Sequence, residues 1–180
     1  MIHPDVERIM ITETEIAEKV QQMAAQLDKL YEGRRPVVVC ILKGSVVFYA
    51  DLIRCMKTEI ELDFMAVSSY GAGSVSSGEL KIKKDLTTDI QGRDVLIVED
   101  IIDSGNTLYH LKKLLISRQP ASVNIVTLLD KPERRTAPME PEYTCFTIED
   151  EFVVGYGLDY AEAYRNLPYV GVLKRSVYEK

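Results

Sequence analysis

The sequence predicts an α/β fold with an open, mainly parallel sheet covered by helices on both faces, and three observations lead there. Short aliphatic runs rich in β-branched residues, Val37 to Leu42, Val95 to Val98 and Val123 to Leu129, have the character of strands buried on both sides. Segments with helical spacing of apolar residues lie between them, at the intervals that strand–helix–strand units require. The first two runs end in short glycine- and serine-containing turns, which puts candidate ligand-binding loops at the carboxyl ends of the strands.

The elements follow in order. Thr12 and Glu15 form a capping box, and Ile16, Val20, Met23, Leu27 and Leu30 then recur at helical spacing as far as Gly33. After the Val37 to Leu42 strand, Lys43-Gly44-Ser45 turns into an apolar helix from about Val46 to Met56. Glu59 to Tyr70 alternates as a strand, and Glu79 to Leu86 resumes as another. The small, polar Gly71 to Gly78 segment between them reads as a hairpin lid over about 69–80, or simply as a solvated hairpin loop. A helix follows the Val95 to Val98 strand, with Leu108, Leu111 and Leu115 on its core face, Lys112 and Lys113 on its wet side and Pro120 beyond its end. Glu133 to Pro141 reads as loop. Phe152 to Gly157 and Tyr169 to Leu173 are two late strands around a turn or short helix, Ala161 to Asn166. The chain of 180 residues is expected to form one domain over 1–180.

Composition excludes several classes. A net charge of −6 argues against nucleic acid or an anionic membrane as the main partner. No run approaches the length of a membrane span and the first residues have no signal-like layout, so a cytoplasmic location is expected. Three cysteines without Cys-x-x-Cys spacing read as reduced packing residues, and two histidines are too few for a multi-histidine metal site.

The most informative stretch is Val95 to Leu108, Val-Leu-Ile-Val-Glu-Asp-Ile-Ile-Asp-Ser-Gly-Asn-Thr-Leu. It carries two adjacent carboxylates, Glu99 and Asp100, at the end of a buried strand. The Ser104-Gly105-Asn106-Thr107 turn then opens a helix, and its backbone N–H groups can converge on a phosphate. Two carboxylates beside an anion site need something else to face, such as a sugar diol or a hard cation. A phosphorylated sugar with magnesium offers all of these. No Gly-x-x-x-x-Gly-Lys loop occurs, and Gly71-Ala72-Gly73 is a weak echo of a dinucleotide fingerprint.

These residues closely resemble the phosphoribosyl-pyrophosphate (PRPP) motif of the phosphoribosyltransferases, in the Glu-Asp-Ile-Ile-Asp-Ser-Gly form of the hypoxanthine-guanine branch. The similarity runs from about Val37 to the end of the chain. It implies the type I phosphoribosyltransferase fold, with a small hood built from the amino-terminal segment and about 150–180. It also implies transfer of 5-phosphoribosyl from PRPP to a 6-oxopurine with Mg2+, in a homodimer or homotetramer without nucleic-acid or membrane partners.

The resemblance assigns roles residue by residue. Leu42, Lys43 and Gly44 look like the pyrophosphate loop with a cis Leu42–Lys43 peptide, although alone they would read as an ordinary turn. Ser69 and Tyr70 look like the start of the lid. Glu99 and Asp100 would hold the ribose diol and, with Asp159, the metal. Asp103 would serve as general base for the purine N7 proton, or as a carboxylate stabilised at a helix start. Ser104, Gly105, Asn106 and Thr107 would bind the 5-phosphate, and Arg165 the pyrophosphate. Ile101, Lys131, Phe152, Val153 and Asp159 would form the purine site, with Lys131 donating to the 6-oxo group and Phe152 stacking on the base. Taken singly, Phe152 would pass for core and Arg165 for a surface charge. A xanthine-preferring enzyme, a nucleotide-sensing regulator of the same fold and a binding module without chemistry are the competing readings.

Overall fold

The structure, a computed structural model, describes residues 2–69 and 80–179. Nine strands and four helices occur among the described residues, in two sheets. The larger sheet consists of β2 (Val37–Ile41), β3 (Glu61–Ser69), β4 (Leu80–Lys84), β5 (Asp94–Ile102), β6 (Ser122–Asp130) and β7 (Tyr143–Thr147). Their order is β4-β3-β2-β5-β6-β7, with every pairing parallel except β3 with β4. Helices α1 (Glu13–Leu30) and α2 (Val46–Cys55) cover one face, where Ile16, Leu27, Phe48 and Leu52 pack on Val38, Leu96 and Val98. Helix α3 (Asn106–Ser117) covers the other, with Leu108, Leu111 and Leu115 against Val37, Val95 and Ile97. Alternation along β2 and β5 sends successive side chains to opposite covers, which is why these strands are continuously apolar.

The smaller sheet is antiparallel, in the order β1-β9-β8, from β1 (Val6–Ile11), β8 (Val153–Val154) and β9 (Val170–Leu173). It forms the hood with its own apolar cluster, in which Val6, Val154, Tyr169 and Leu173 are buried. A four-residue helix, α4 (Arg175–Tyr178), follows β9.

The Thr12–Glu15 capping box is present in both directions, with Glu15 N–H donating to Thr12 Oγ1 and Thr12 N–H to Glu15 Oε2. The sequence reading is corrected elsewhere. β1 and β7 were not expected. The Glu133 to Pro141 loop is entered through a single 3₁₀ turn, Pro132–Arg134. The expected strand Phe152 to Gly157 is regular only at Val153–Val154, because the glycines beyond it take positive φ. Of the two readings of Ala161 to Asn166, a turn or a short helix, the structure shows the turn, since Ala161, Glu162 and Tyr164 have left-handed backbones that interrupt a helix. Lys112 is not fully on the wet side, because Glu142 pairs with it against the body of the protein. The expected lid is represented only at its base, by the Ser69–Leu80 pairing of β3 with β4; Tyr70 and residues 71–79 lie outside the described residues.

Asp63 pins the β4 margin of the sheet from a 2% exposed position. It accepts from Phe64 N–H at 2.7 Å and from Thr87 and Thr88 N–H at 2.8 Å each, with Lys84 Nζ 3.6 Å away. Burial alone would raise its carboxyl, but the Thr88, Phe64 and Thr87 amides overturn this and hold it below the ordinary range. A depressed carboxyl stabilises the fold above its unfolded pKa and loses that contribution as pH falls through the folded value. Asp63→Ala is therefore expected to cost about 2–4 kcal/mol at pH 7, or roughly 6–12 °C of Tm, with a smaller deficit near pH 3, below the ordinary value of 3.8, where the charge contributes less. Thermal denaturation at both pH values checks this; an equal deficit at both would rule out the ionic origin.

Candidate active site

The carboxyl ends of β2, β5 and β6 and the turns of the hood enclose two adjoining clefts. One, of about 370 Å³, is lined by the Leu42–Gly44 turn, Glu99, Asp100, the start of α3, Asp159 and Arg165. The other, of about 450 Å³, is lined by Lys131, Arg134, Asp150, Phe152, Val153 and Tyr178, among others. Asp100, Ile101, Asp103 and Asp159 border both. A roomier groove of about 550 Å³ between α1, α2 and the Arg165–Pro168 turn contains none of the motif residues except Arg165.

Strand β5 runs past the acid pair to Ile102, so Glu99 and Asp100 belong to the strand rather than to the turn after it. Val98 and Ile101, three positions apart, pack on the same side. The two-residue alternation therefore slips at the pair, and both carboxylates line one cleft instead of opposite faces. Burial, followed by the neighbouring Asp100 charge, holds the Glu99 carboxyl well above the ordinary carboxylate range. A raised folded pKa makes the ionised form a cost to folding, so stability falls as pH rises above the ordinary value of 4.5. Glu99→Gln is thus expected to raise the Tm of the ligand-free protein by roughly 2–6 °C at pH 7, and by less at pH 5, while lowering activity. Differential scanning fluorimetry at the two pH values reads the sign, and an unchanged or lower Tm at pH 7 would contradict it.

The anion end of the first cleft is backbone. Gly105 has φ +77° and leads into α3, whose first amides have no side-chain cap among the described residues beyond a 3.4 Å contact from Asn106 N–H to Ser104 Oγ. A strap from residues 131–137 fixes this turn. Arg135 Nη1 donates to Asp103 O at 2.6 Å, Thr136 and Ala137 N–H both donate to Ser104 O at 3.0 Å, and Asn106 Nδ2 donates to Thr136 Oγ1 at 3.1 Å. Arg135 is itself buried against Asp130.

At the opposite end, Leu42–Lys43 is a cis peptide. Gly44 is packed so closely that a Cβ there would lie 1.7 Å from Asp100 Oδ2, and a Cβ at Gly157 (φ +100°) would lie 2.0 Å from Gly44 O. Arg165 closes this corner, donating to Gly157 O at 2.8 Å and pairing with Asp159 at 2.9 Å and Glu162 at 3.3 Å. Glu162 also meets Lys43 Nζ at 3.2 Å, and hydrogen bonding to Lys43 and Arg165 lowers its carboxyl.

In the second cleft Lys131 is 7% exposed, and its ammonium donates to Glu151 O at 2.7 Å and approaches Asp150 at 3.5 Å. Arg134 bridges Asp103 (2.9 Å) and Asp150 (3.3 Å) across the mouth. Phe152 is 38% exposed, which makes it a wall of the cleft rather than core.

The phosphoribosyl transferase domain family matches residues 10–161. The chain belongs to the phosphoribosyltransferase family. It is similar, at 55% identity over 178 residues and 99% of each chain, to a hypoxanthine-guanine phosphoribosyltransferase of Streptococcus pneumoniae. A Bacillus subtilis protein of the same name is 54% identical over 179 residues, again 99% of each chain. Among solved structures, a hypoxanthine phosphoribosyltransferase from Staphylococcus aureus superimposes with a TM-score of 0.96 at 51% identity, covering 99% of this chain and 97% of that one.

This phosphoribosyltransferase brings nearly all the sequence-predicted site residues to the two clefts. Ser69, Tyr70 and Asn106 are the exceptions: the backbone of Ser69 ends β3, Tyr70 lies outside the described residues, and the exposed Asn106 side chain turns to Thr136 instead of lining either cleft. The expected metal trio is not gathered, because no three His, Cys, Asp or Glu side chains cluster around a common point among the described residues, and Asp159 is tied to Arg165. The Glu99–Asp100 pair alone still suits a hard cation, since burial and the neighbouring Asp100 charge, which together raise Glu99, would both be offset by a nearby positive charge. Sequence reasoning missed Arg134, Arg135, Asp130, Asp150 and Gly157. The one local signal was the doubled arginine three residues beyond Lys131, which was absorbed into a polar loop.

Proposed function

We propose that the chain transfers the 5-phosphoribosyl group from PRPP to hypoxanthine or guanine, yielding the nucleotide and pyrophosphate. The observation that carries this reading is the meeting of two clefts at Asp103, one ending in the uncapped amides of α3 and the other holding a buried lysine and an exposed aromatic ring. Residues Ser104 to Thr107 take the 5-phosphate, far from the reacting bond, so that binding there aligns the anomeric carbon. Arg165 and the Leu42–Gly44 turn take the pyrophosphate. Glu99 and Asp100 hold the ribose hydroxyls and would hold Mg2+, with Asp159 lining the same cleft. When bound, the metal supplies positive charge that stabilises the leaving pyrophosphate.

Asp103 receives the N7 proton as the purine attacks. Lys131 donates to the 6-oxo group, Phe152 stacks on the base, Val153 offers its backbone and Ile101 lies opposite. The protein acts in the cytoplasm as a homodimer or homotetramer over its full 1–180 domain; no described helix is long and apolar enough to cross a membrane.

The decisive experiment supplies PRPP and Mg2+ with hypoxanthine, guanine, xanthine or adenine and measures nucleotide and pyrophosphate. Rapid turnover of the first two and a rate with adenine lower by ~10⁴ are expected, because Lys131 can only donate and adenine presents an amino group there. Xanthine outpacing both would move the assignment to a xanthine enzyme, and PRPP binding without pyrophosphate release would leave only a binding module.

A further inference from the structure

We propose that Tyr178, on α4, is a positioning residue that backs the purine platform by stacking on Phe152. The proposal rests on the reading of Phe152 as that platform. The two rings lie 4.7 Å apart at 21°, a stacked pair, while Tyr160 meets the Phe152 ring edge-on at 5.6 Å and 84°. Both Phe152 and Tyr178 border the 450 Å³ cleft.

The side on which Tyr178 stands is set by the hood. Leu173 N–H donates to Phe152 O at 2.8 Å, which carries the β8–β9 ladder back to Phe152. Alternation then puts Phe152 on the same side of β8 as Val154, with Val153 on the other. Val154 belongs to the hood cluster, against which Tyr160, Val177 and Tyr178 pack, whereas Val153 joins the main core. Tyr178 is therefore anchored in hood packing behind Phe152. The platform remains 38% exposed with this ring in place, so a face is left for a base.

A phenylalanine at the rim of an open cleft has two χ angles and little else to hold it; a stacked partner and an edge-on partner confine it to one plane. A fixed ring meets a planar base without losing rotamer freedom on binding. The Tyr178 hydroxyl makes no hydrogen bond among the described residues, so the ring, rather than its polar tip, carries the effect.

The test measures KM for hypoxanthine, KM for PRPP and kcat, with Mg2+ present, in the wild type and in Tyr178→Ala, Tyr178→Leu, Tyr178→Phe and Phe152→Ala. Tyr178→Ala is expected to raise KM for hypoxanthine about 3–10-fold, with KM for PRPP changing less than twofold and kcat falling less than KM rises. Tyr178→Phe should restore the wild-type KM. Tyr178→Leu, which keeps apolar bulk against the hood but no ring, should behave like Tyr178→Ala and serves if the alanine variant folds poorly. An unchanged KM for hypoxanthine in Tyr178→Ala and Tyr178→Leu overturns the proposal. So does a lowered KM, which would mean that the ring occupies the base's own position, or an equal rise in both KM values, which would mean general loosening. If Phe152→Ala leaves KM for hypoxanthine unchanged, the platform assignment itself fails; if it raises that KM while the Tyr178 variants do not, only the backing role is lost.

Discussion

Asp103→Ala is expected to lower kcat with hypoxanthine by roughly 10²–10⁴ while leaving KM for PRPP within a few-fold of wild type. The two effects separate because the carboxylate and the main chain of this residue are held by different partners. Its side chain reaches the border of the two clefts and accepts from Arg134 Nε at 2.9 Å. Its carbonyl accepts from Arg135 Nη1, and the next carbonyl, that of Ser104, accepts from Thr136 and Ala137 N–H. Losing the carboxylate therefore removes a proton acceptor without unfastening the turn that grips phosphate. Steady-state rates with each substrate varied against saturating partner provide the readout. Near-normal turnover would take Asp103 out of proton transfer, and a loss confined to KM for PRPP would recast it as part of the phosphate turn.

Lys131→Ala should lower kcat/KM for hypoxanthine by about 10–10² and leave the slow rate with adenine almost unchanged, narrowing the discrimination between them by the same factor. The ammonium is buried and fixed by Glu151 O at 2.7 Å, so it meets the base as a pre-aimed donor that has little freedom left to lose. Against a 6-oxo oxygen its free N–H completes a charge-assisted hydrogen bond; against an amino group that N–H is left without an acceptor. Competition between the two bases in one reaction mixture measures the ratio directly. A fall in both rates by the same factor would show that Lys131 shapes the cleft without reading the base.

What the sequence discloses depends on the range over which the deciding interaction acts. Helix α1 was legible because the Thr12–Glu15 box and the spacing from Ile16 to Leu27 lie within the helix or beside it. The acid pair and phosphate turn were legible for the same reason: strand, acids, glycine and helix start are contiguous. β1 was missed because Val6-Glu-Arg-Ile-Met-Ile has no clean alternation and becomes a strand only by pairing with β9, which arrives more than 150 residues later. β7 was missed because its five residues follow a proline-containing loop and form the outer edge of the sheet, where only Cys145 is buried and no apolar run marks the strand. Arg134 and Arg135 were read only as part of the Glu133 to Pro141 loop, since Asp103, which both of them contact, lies about 31 positions back in the chain. The expected gathering of Asp159 with the acid pair gave way to Arg165, a cation six residues further along that claims the carboxylate first.

The nesting of Gly157 on Gly44 O, and of Gly44 on Asp100, stacks three segments from distant parts of the chain with no room for a methyl group between them. Hood, anion loop and acid strand are thereby locked at one separation, like leaves of a closed book. Selection for enlarged or altered substrates should consequently leave both glycines untouched and find its freedom at the outer margin, around Asp150 and Glu151, whose partly exposed side chains meet other side chains only through ion pairs.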